Sequence, residues 1–157
     1  MIRGLYETHL PVRSLAVSIS FYERLGLTFA RWQGEHTAFL WIEKGKSWLG
    51  LWEGEQVNTP YHASLRHIAF TTTYEDLRHA AAWLRSMQIE PVIFPGQATG
   101  DPFVRPSQAN ASIYFDDPDG NSLELMANID VPVSLREITT LLTIEEWEDQ
   151  LRTVQQS

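Results

Sequence analysis

At 157 residues, 43% of them hydrophobic and 11% aromatic, the chain is long enough for one domain or for two small units sharing a core. A net charge of −8 and a pI near 5.0 argue against nucleic acid or an anionic membrane as the main partner. The lack of cysteine excludes disulfides, thiolate nucleophiles and thiolate metal sites. The start MIRGLYETHL lacks the basic-then-apolar pattern of a signal peptide, and no apolar run is long enough to span a bilayer, so a soluble, cytoplasmic protein is expected.

In chain order, residues 5–12 read as a strand carrying His9. Ser14 can cap a helix whose apolar stripe is Leu15, Ile19, Tyr22 and Leu25, and Gly26 suits its stop. Strand-like runs follow at 27–32, 37–42 and 48–52, punctuated by Gly34, Gly45 and Gly54. Residues 55–64, with Pro60, read as a surface linker.

The pattern then restarts. Residues 65–71 form a β-rich run carrying His67, Thr73 with Asp76 resembles a capping box, and Leu77, Ala81, Leu84 and Met87 make a helical stripe. Residues 91–94 read as a short strand and 95–110 as a long loop containing Arg105; loops of that length in a compact domain are more often functional than idle. Strands at 111–115 and 122–127 flank Asp116-Asp117-Pro118-Asp119-Gly120-Asn121, where proline presets φ and glycine can take the positive φ that closes a turn. Alternation after the turn places Leu123 and Leu125 on one face and Ser122, Glu124 and Met126 on the other. Past Pro132, Ser134 with Glu137 and Thr143 with Glu146 read as two successive capping boxes, the second opening a helix with Ile144, Trp147, Leu151 and Val154 on one side.

The expected fold class is therefore α+β. Two βαβββ modules, about 4–54 and 65–128, form a curved, mostly antiparallel half-barrel with helices outside and a cleft within, and 131–157 is a C-terminal helical extension. Superposing the modules by pattern matches His9 with His67, and Leu49-Gly50-Leu51 with Leu123-Glu124-Leu125. Two imidazoles and a carboxylate on strands that the repeat brings together suit a divalent metal such as Zn, Mn, Fe or Ni, against the bland reading of hydrogen-bonded core residues. By the same parity Trp48, Gly50 and Trp52 share one face, where the indoles would make a flat apolar wall for a substrate, or else fill a core or dimer contact. Arg105 is a candidate for a substrate carboxylate or phosphate. His62 is within reach of acting as a base, whereas His36 and His79 read as surface residues.

The stretches ETHLPVRSLAVSISFYERLGL, LRHIAF and YFDDPDGNSLEL together resemble the vicinal oxygen chelate superfamily, the group of glyoxalases, bleomycin-resistance proteins and extradiol dioxygenases. The resemblance covers residues 6–127 in order and spacing, and DPDGNSLEL is its most diagnostic piece. It implies paired βαβββ modules with a metal held by His9, His67 and Glu124, acting on a small molecule that chelates through adjacent oxygens, with Tyr114 donating a hydrogen bond to the bound oxygen. It also implies a homodimer, in which His9 comes from one chain and His67 with Glu124 from the other; the stripe of the last helix offers further apolar surface for that contact. Each activity of the family meets a departure. Gly50 stands where glyoxalases carry a fourth, carboxylate ligand. Fosfomycin-resistance thiol transferases match the histidines, the glutamate and the Ser112-x-Tyr114 pattern, but Pro11 replaces a polar residue and Val133 stands near an expected arginine. Extradiol dioxygenases match Tyr114 but have a histidine about where Trp52 stands. The alternative from another class is a non-catalytic, bleomycin-resistance-like protein that binds a drug or hydrophobic ligand; such proteins tend to lack the ligand triad.

Overall fold

The structure, a computed structural model, describes residues 4–58 and 63–156; Pro60 and His62 lie outside the described residues. The chain divides into two compact units, Met1–Arg66 with Asp117–Asn121, and His67–Asp116 with Ser122–Ser157.

In the first unit, β1 (Glu7–Val12) leads into α1 (Leu15–Arg24), followed by β2 (Thr28–Trp32), β3 (Thr37–Glu43) and β4 (Ser47–Glu53). The sheet order is β1-β4-β3-β2, with β1 parallel to β4 and the other pairs antiparallel. Ser14 is extended and its hydroxyl accepts from Val17 N, while Leu15 N donates to Glu53 Oε1 at 2.8 Å, so a strand-end carboxylate satisfies a second orphan amide of the first turn. Gly26, at φ +99, ends α1: Leu27 N reaches Tyr22 O, and Gly26 N reaches Glu23 O. One sheet face, bearing Leu10, Val12, Ala38, Leu40, Leu49 and Leu51, is buried, and α1 packs on β3 and β4. Each leucine fully removed from water there contributes about 1.5–3 kcal/mol. Alternation sends His9, Phe39, Trp48, Gly50 and Trp52 to the opposite face.

The Asp117–Asn121 turn explains why its sequence is so particular. Asp117 Oδ1 accepts the amides of Asp119 and Asn121 at 2.9 and 2.8 Å, and Gly120 takes φ +74. Asp117 Oδ2 accepts from the Tyr22 hydroxyl at 2.8 Å, and Asp119 Oδ1 from Arg13 Nε at 2.6 Å. The buried Arg66 guanidinium donates to Asn121 Oδ1, to Val57 O and to Asp119 O. Burial, followed by the charge of Asp117, pushes the Tyr22 phenol far above the usual tyrosine range. Buried polar groups of this kind hold a structure only when all are paired, which these are.

The second unit runs β5 (His67–Thr71), α2 (Tyr74–Ser86), β6 (Pro91–Val92), β7 (Phe103–Arg105), β8 (Asn110–Asp116), β9 (Ser122–Asn128), β10 (Leu142–Thr143) and α3 (Ile144–Gln155). Its sheet order is β10-β7-β8-β9-β5, with β5 parallel to β9. Strands β6 and β7 both pair with β8, at Tyr114–Phe115 and Asn110–Ser112 respectively, so one strand of the module is split by residues 93–102. The stretch 95–110, expected as a loop, therefore contains a strand and a 3₁₀ turn (Pro106–Gln108) whose pairing partners lie elsewhere in sequence. Helix α2, capped by Thr73, packs Leu77, Ala80, Ala81 and Leu84 on the face of β8 and β9 that carries Ile113 and Leu123.

The expected helix after Ser134 is a single 3₁₀ turn, Val133–Leu135. Ile138, Thr139 and Thr140 are β-branched and disfavour further helix, and the chain returns to pair β10 with β7. The Thr143–Glu146 capping box is complete, with both bonds formed at 3.1 and 2.8 Å. Trp147 is buried, and Glu148 pairs with Arg78 of α2 at 3.0 Å. The architecture is α+β, with two mixed sheets, neither closed into a barrel, and a C-terminal helix. Among the described residues no helix is long and apolar enough to cross a membrane.

Candidate functional site

In the second unit the site face is set by register. Glu124 on β9 lies opposite Tyr114 on β8 and Ala69 on β5, and His67 lies opposite Ser122. Glu124 is 1% exposed, a costly place for a carboxylate. Its Oε2 lies 3.2 Å from His67 Nε2. Its Oε1 is buried and makes no hydrogen bond; Arg105 Nη1 approaches it at 3.5 Å without hydrogen-bond geometry. His67 Nδ1 is 3.3 Å from the Ser122 hydroxyl, and the imidazole stacks on Tyr114 with centroids 5.8 Å apart.

Arg105 is not in an exposed loop, as the sequence suggested, but on β7 and only 8% exposed. Its guanidinium donates to Ser112 Oγ at 2.9 Å, to Tyr114 Oη at 3.0 Å and to Asn110 Oδ1 at 3.3 Å. Phe94, Phe103 and Tyr114 stack nearly parallel beside it, and its Cζ lies 4.5 Å from the Phe103 centroid and 4.9 Å from that of Phe94. Arg105 is thus a buried counter-charge to Glu124, with its donors directed at protein acceptors. Burial, then the neighbouring Glu124 carboxylate, raises the Tyr114 phenol above its ordinary value. Tyr114 is therefore a neutral hydroxyl at physiological pH.

In the first unit, Trp52 Nε1 donates to His9 Nδ1 at 2.6 Å, and His9 Nε2 lies 3.4 Å from Glu7 Oε1. Glu7 Oε2 accepts from Trp48 Nε1 at 2.8 Å; that bond, then His9, lowers the Glu7 pKa. Phe39 meets the imidazole edge-on, and Arg31 lies over Phe39 at 4.2 Å and over Trp48 at 5.2 Å. Trp48 and Trp52 do share a face with His9; Trp52 is 49% exposed and so is not core filling. Phe94, Phe103, Phe39 and Arg31 escaped the sequence reading. Period-2 alternation marks Phe39 and Phe103 once the strands are known.

Gly50 needs correction. His9 lies opposite Gly50 as His67 lies opposite Ser122, so the residue that matches Glu124 is Trp52, two positions further on. A Cβ on Gly50 would fall 2.3 Å from His9 Nδ1. That position accommodates the imidazole and is not a vacant ligand position.

His67 and Glu124 are brought together. Among the described residues, no group of three or more His, Cys, Asp or Glu side chains is placed to hold a metal ion. The chemistry of the donor pair fits one nonetheless: a carboxylate oxygen, Glu124 Oε2, and an imidazole nitrogen, His67 Nε2, lie 3.2 Å apart, and the buried Oε1 of the same carboxylate makes no hydrogen bond. His36 and His79 are surface residues paired with Glu53 and Glu75.

Comparison with known proteins gives the family of the chain. Residues 4–125 match the family model of the Glyoxalase/Bleomycin resistance protein/Dioxygenase superfamily. The chain is 32% identical over 127 residues to a metallothiol transferase FosB of Bacillus licheniformis, covering 79% of this chain and 75% of that protein. It is 33% identical over 129 residues to a glutathione transferase FosA of Serratia marcescens, covering 80% and 81%. An integron cassette protein from the mobile metagenome of the Halifax Harbour sewage outfall has a similar structure, with a TM-score of 0.64 at 26% identity over 80% of this chain and 99% of that one. The chain belongs to the Glyoxalase/Bleomycin resistance protein/Dioxygenase superfamily.

Proposed function

We propose that this protein is a divalent-metal-dependent enzyme acting on a small molecule with oxygen donors, and that its reaction is transfer of a thiol to that molecule. The observation that carries the metal is Glu124, 1% exposed, whose Oε2 lies 3.2 Å from His67 Nε2 and whose Oε1 makes no hydrogen bond although Arg105 Nη1 stands 3.5 Å away. The reaction class rests on relatives named metallothiol transferase and glutathione transferase, at 32% and 33% identity. Glu124 and His67 would hold the ion, with His9 as third ligand supplied by a second copy of the chain in a homodimer. An ion bound there supplies Lewis acidity to a substrate oxygen.

The remaining roles follow from this chain's own groups. Ser122 steadies the His67 ring at Nδ1, leaving Nε2 directed at Glu124. Arg105 sets a guanidinium 3.5 Å from the buried carboxylate and fixes the Tyr114 oxygen by donating to it. Tyr114, held neutral, has a proton to offer to an oxygen of the substrate. The exposed indole of Trp52, with Trp48 on the same face of β4, offers an apolar surface to the substrate.

Two experiments test this reading. Protein loaded with Mn²⁺ is incubated with glutathione or cysteine and a panel of small electrophiles bearing adjacent oxygens, and products are weighed by mass spectrometry. A metal-dependent adduct is expected; its absence with a metal-loaded protein would withdraw thiol transfer and leave the metal centre standing. Mixing His9→Ala and Glu124→Ala chains, with subunit exchange, should restore one intact site per mixed dimer. Mixed dimers without metal would refute the shared site.

A further inference from the structure

We infer that Trp52 is a positioning residue for His9 that occupies the imidazole's one lone pair, so that His9 joins a metal site only after the indole lets go. This rests on the metal reading above. A neutral imidazole carries one N–H and one lone pair, and an indole nitrogen only donates. The 2.6 Å bond from Trp52 Nε1 therefore places the lone pair on Nδ1 and the ring proton on Nε2, on the side of Glu7 Oε1 at 3.4 Å. Both nitrogens are in use.

Coordination conflicts with that arrangement by either route. Ligation through Nδ1 needs the lone pair that the indole N–H now takes. Ligation through Nε2 needs the proton moved to Nδ1, where it would meet the indole N–H head-on. The hydrogen bond and the metal bond at His9 exclude each other.

The surroundings make release feasible and set the ring's place. Trp52 is half exposed, so its indole can turn into solvent. The imidazole is held independently by the absence of a Cβ at Gly50 and by the edge of Phe39 at 5.7 Å. Because Trp52 takes the register position that Glu124 takes in the second unit, the first unit presents a hydrogen-bond donor where the second presents an anionic ligand.

The test compares wild type with Trp52→Phe, which keeps an apolar ring and removes the donor. In metal-free protein, long-range ¹H–¹⁵N NMR of the imidazoles should show wild-type His9 as the Nε2–H tautomer, and the variant should lose that strong bias. Mn²⁺ titrated by calorimetry should bind Trp52→Phe about two- to tenfold more tightly, the span of one net hydrogen bond. Equal or weaker binding by the variant, or a wild-type His9 protonated at Nδ1, would overturn the latch and leave the metal site standing. Failure of wild type to take up Mn²⁺ would overturn the metal reading and the latch together.

Discussion

Trp52 and Glu124 occupy the same place in the two units, each two residues beyond the strand partner of its unit's histidine. Glu124 faces His67 with a carboxylate oxygen at 3.2 Å, and Trp52 faces His9 with an indole N–H at 2.6 Å. One sequence repeat thus carries two chemistries.

Gly50 tests the geometry of the first unit. Gly50→Ala puts a Cβ into the imidazole, and since the nearest atoms belong to a side chain on a paired strand, His9 must shift. Overpacking of this kind costs about 1–3 kcal/mol. Mn²⁺ affinity measured by calorimetry should fall at least tenfold, with the circular dichroism spectrum unchanged. Gly50→Glu should fare no better, because the same Cβ precedes any carboxylate; tighter binding would show that the side chain at 50 is directed elsewhere.

Arg105 tests the electrostatics of the second. Arg105→Met leaves Glu124 buried without its counter-cation, a loss of about 3 kcal/mol. Urea denaturation should show that loss in metal-free protein. Adding Glu124→Gln to the variant should recover part of it. Additive losses in the double variant would mean that the two side chains do not interact.

The fold was legible in the sequence where structure is local. Ser14, Thr73 and Thr143 cap helices, and Gly26 and Gly120 take the positive φ their positions require. What depends on pairing partners was not legible. The match between Gly50 and Glu124 followed residue pattern, whereas the true match depends on how β4 lies beside β1. Strand β7 sits in a Gly- and Pro-rich stretch and exists because β8 and β10 flank it. Of the candidate site, the His67–Glu124 pair was readable. The burial of Arg105 and the bond between Trp52 and His9 were not, since each depends on side chains meeting across strands.

Helix α2 offers a stability gain. Gln88 ends it at φ +62, with Ile89 N bonded to Leu84 O, as Gly26 ends α1. A side chain in that left-handed conformation costs about 1 kcal/mol. Gln88→Gly should raise the melting temperature by several degrees. An unchanged or lower value would mean that the Gln88 side chain contributes more than its strain costs.

Alkaline pH should destabilise the fold through Tyr22. Its folded pKa is raised above the unfolded value near 10, so its contribution is complete below pH 10 and declines as pH rises beyond it. Stability measured in urea at pH 8 and pH 11 should fall in wild type. Tyr22→Phe, weaker at pH 8 through loss of the bond to Asp117, should fall less between the two. Equal falls would assign the alkaline sensitivity to other groups.

The most direct measurement is the metal content of wild type and of His67→Ala and Glu124→Ala chains, purified without chelator and dialysed against Mn²⁺. About one tightly held equivalent per chain is predicted for wild type. Each variant should lose nearly all of it while keeping its fold by circular dichroism. A full equivalent retained by either variant would contradict the site built on His67 and Glu124.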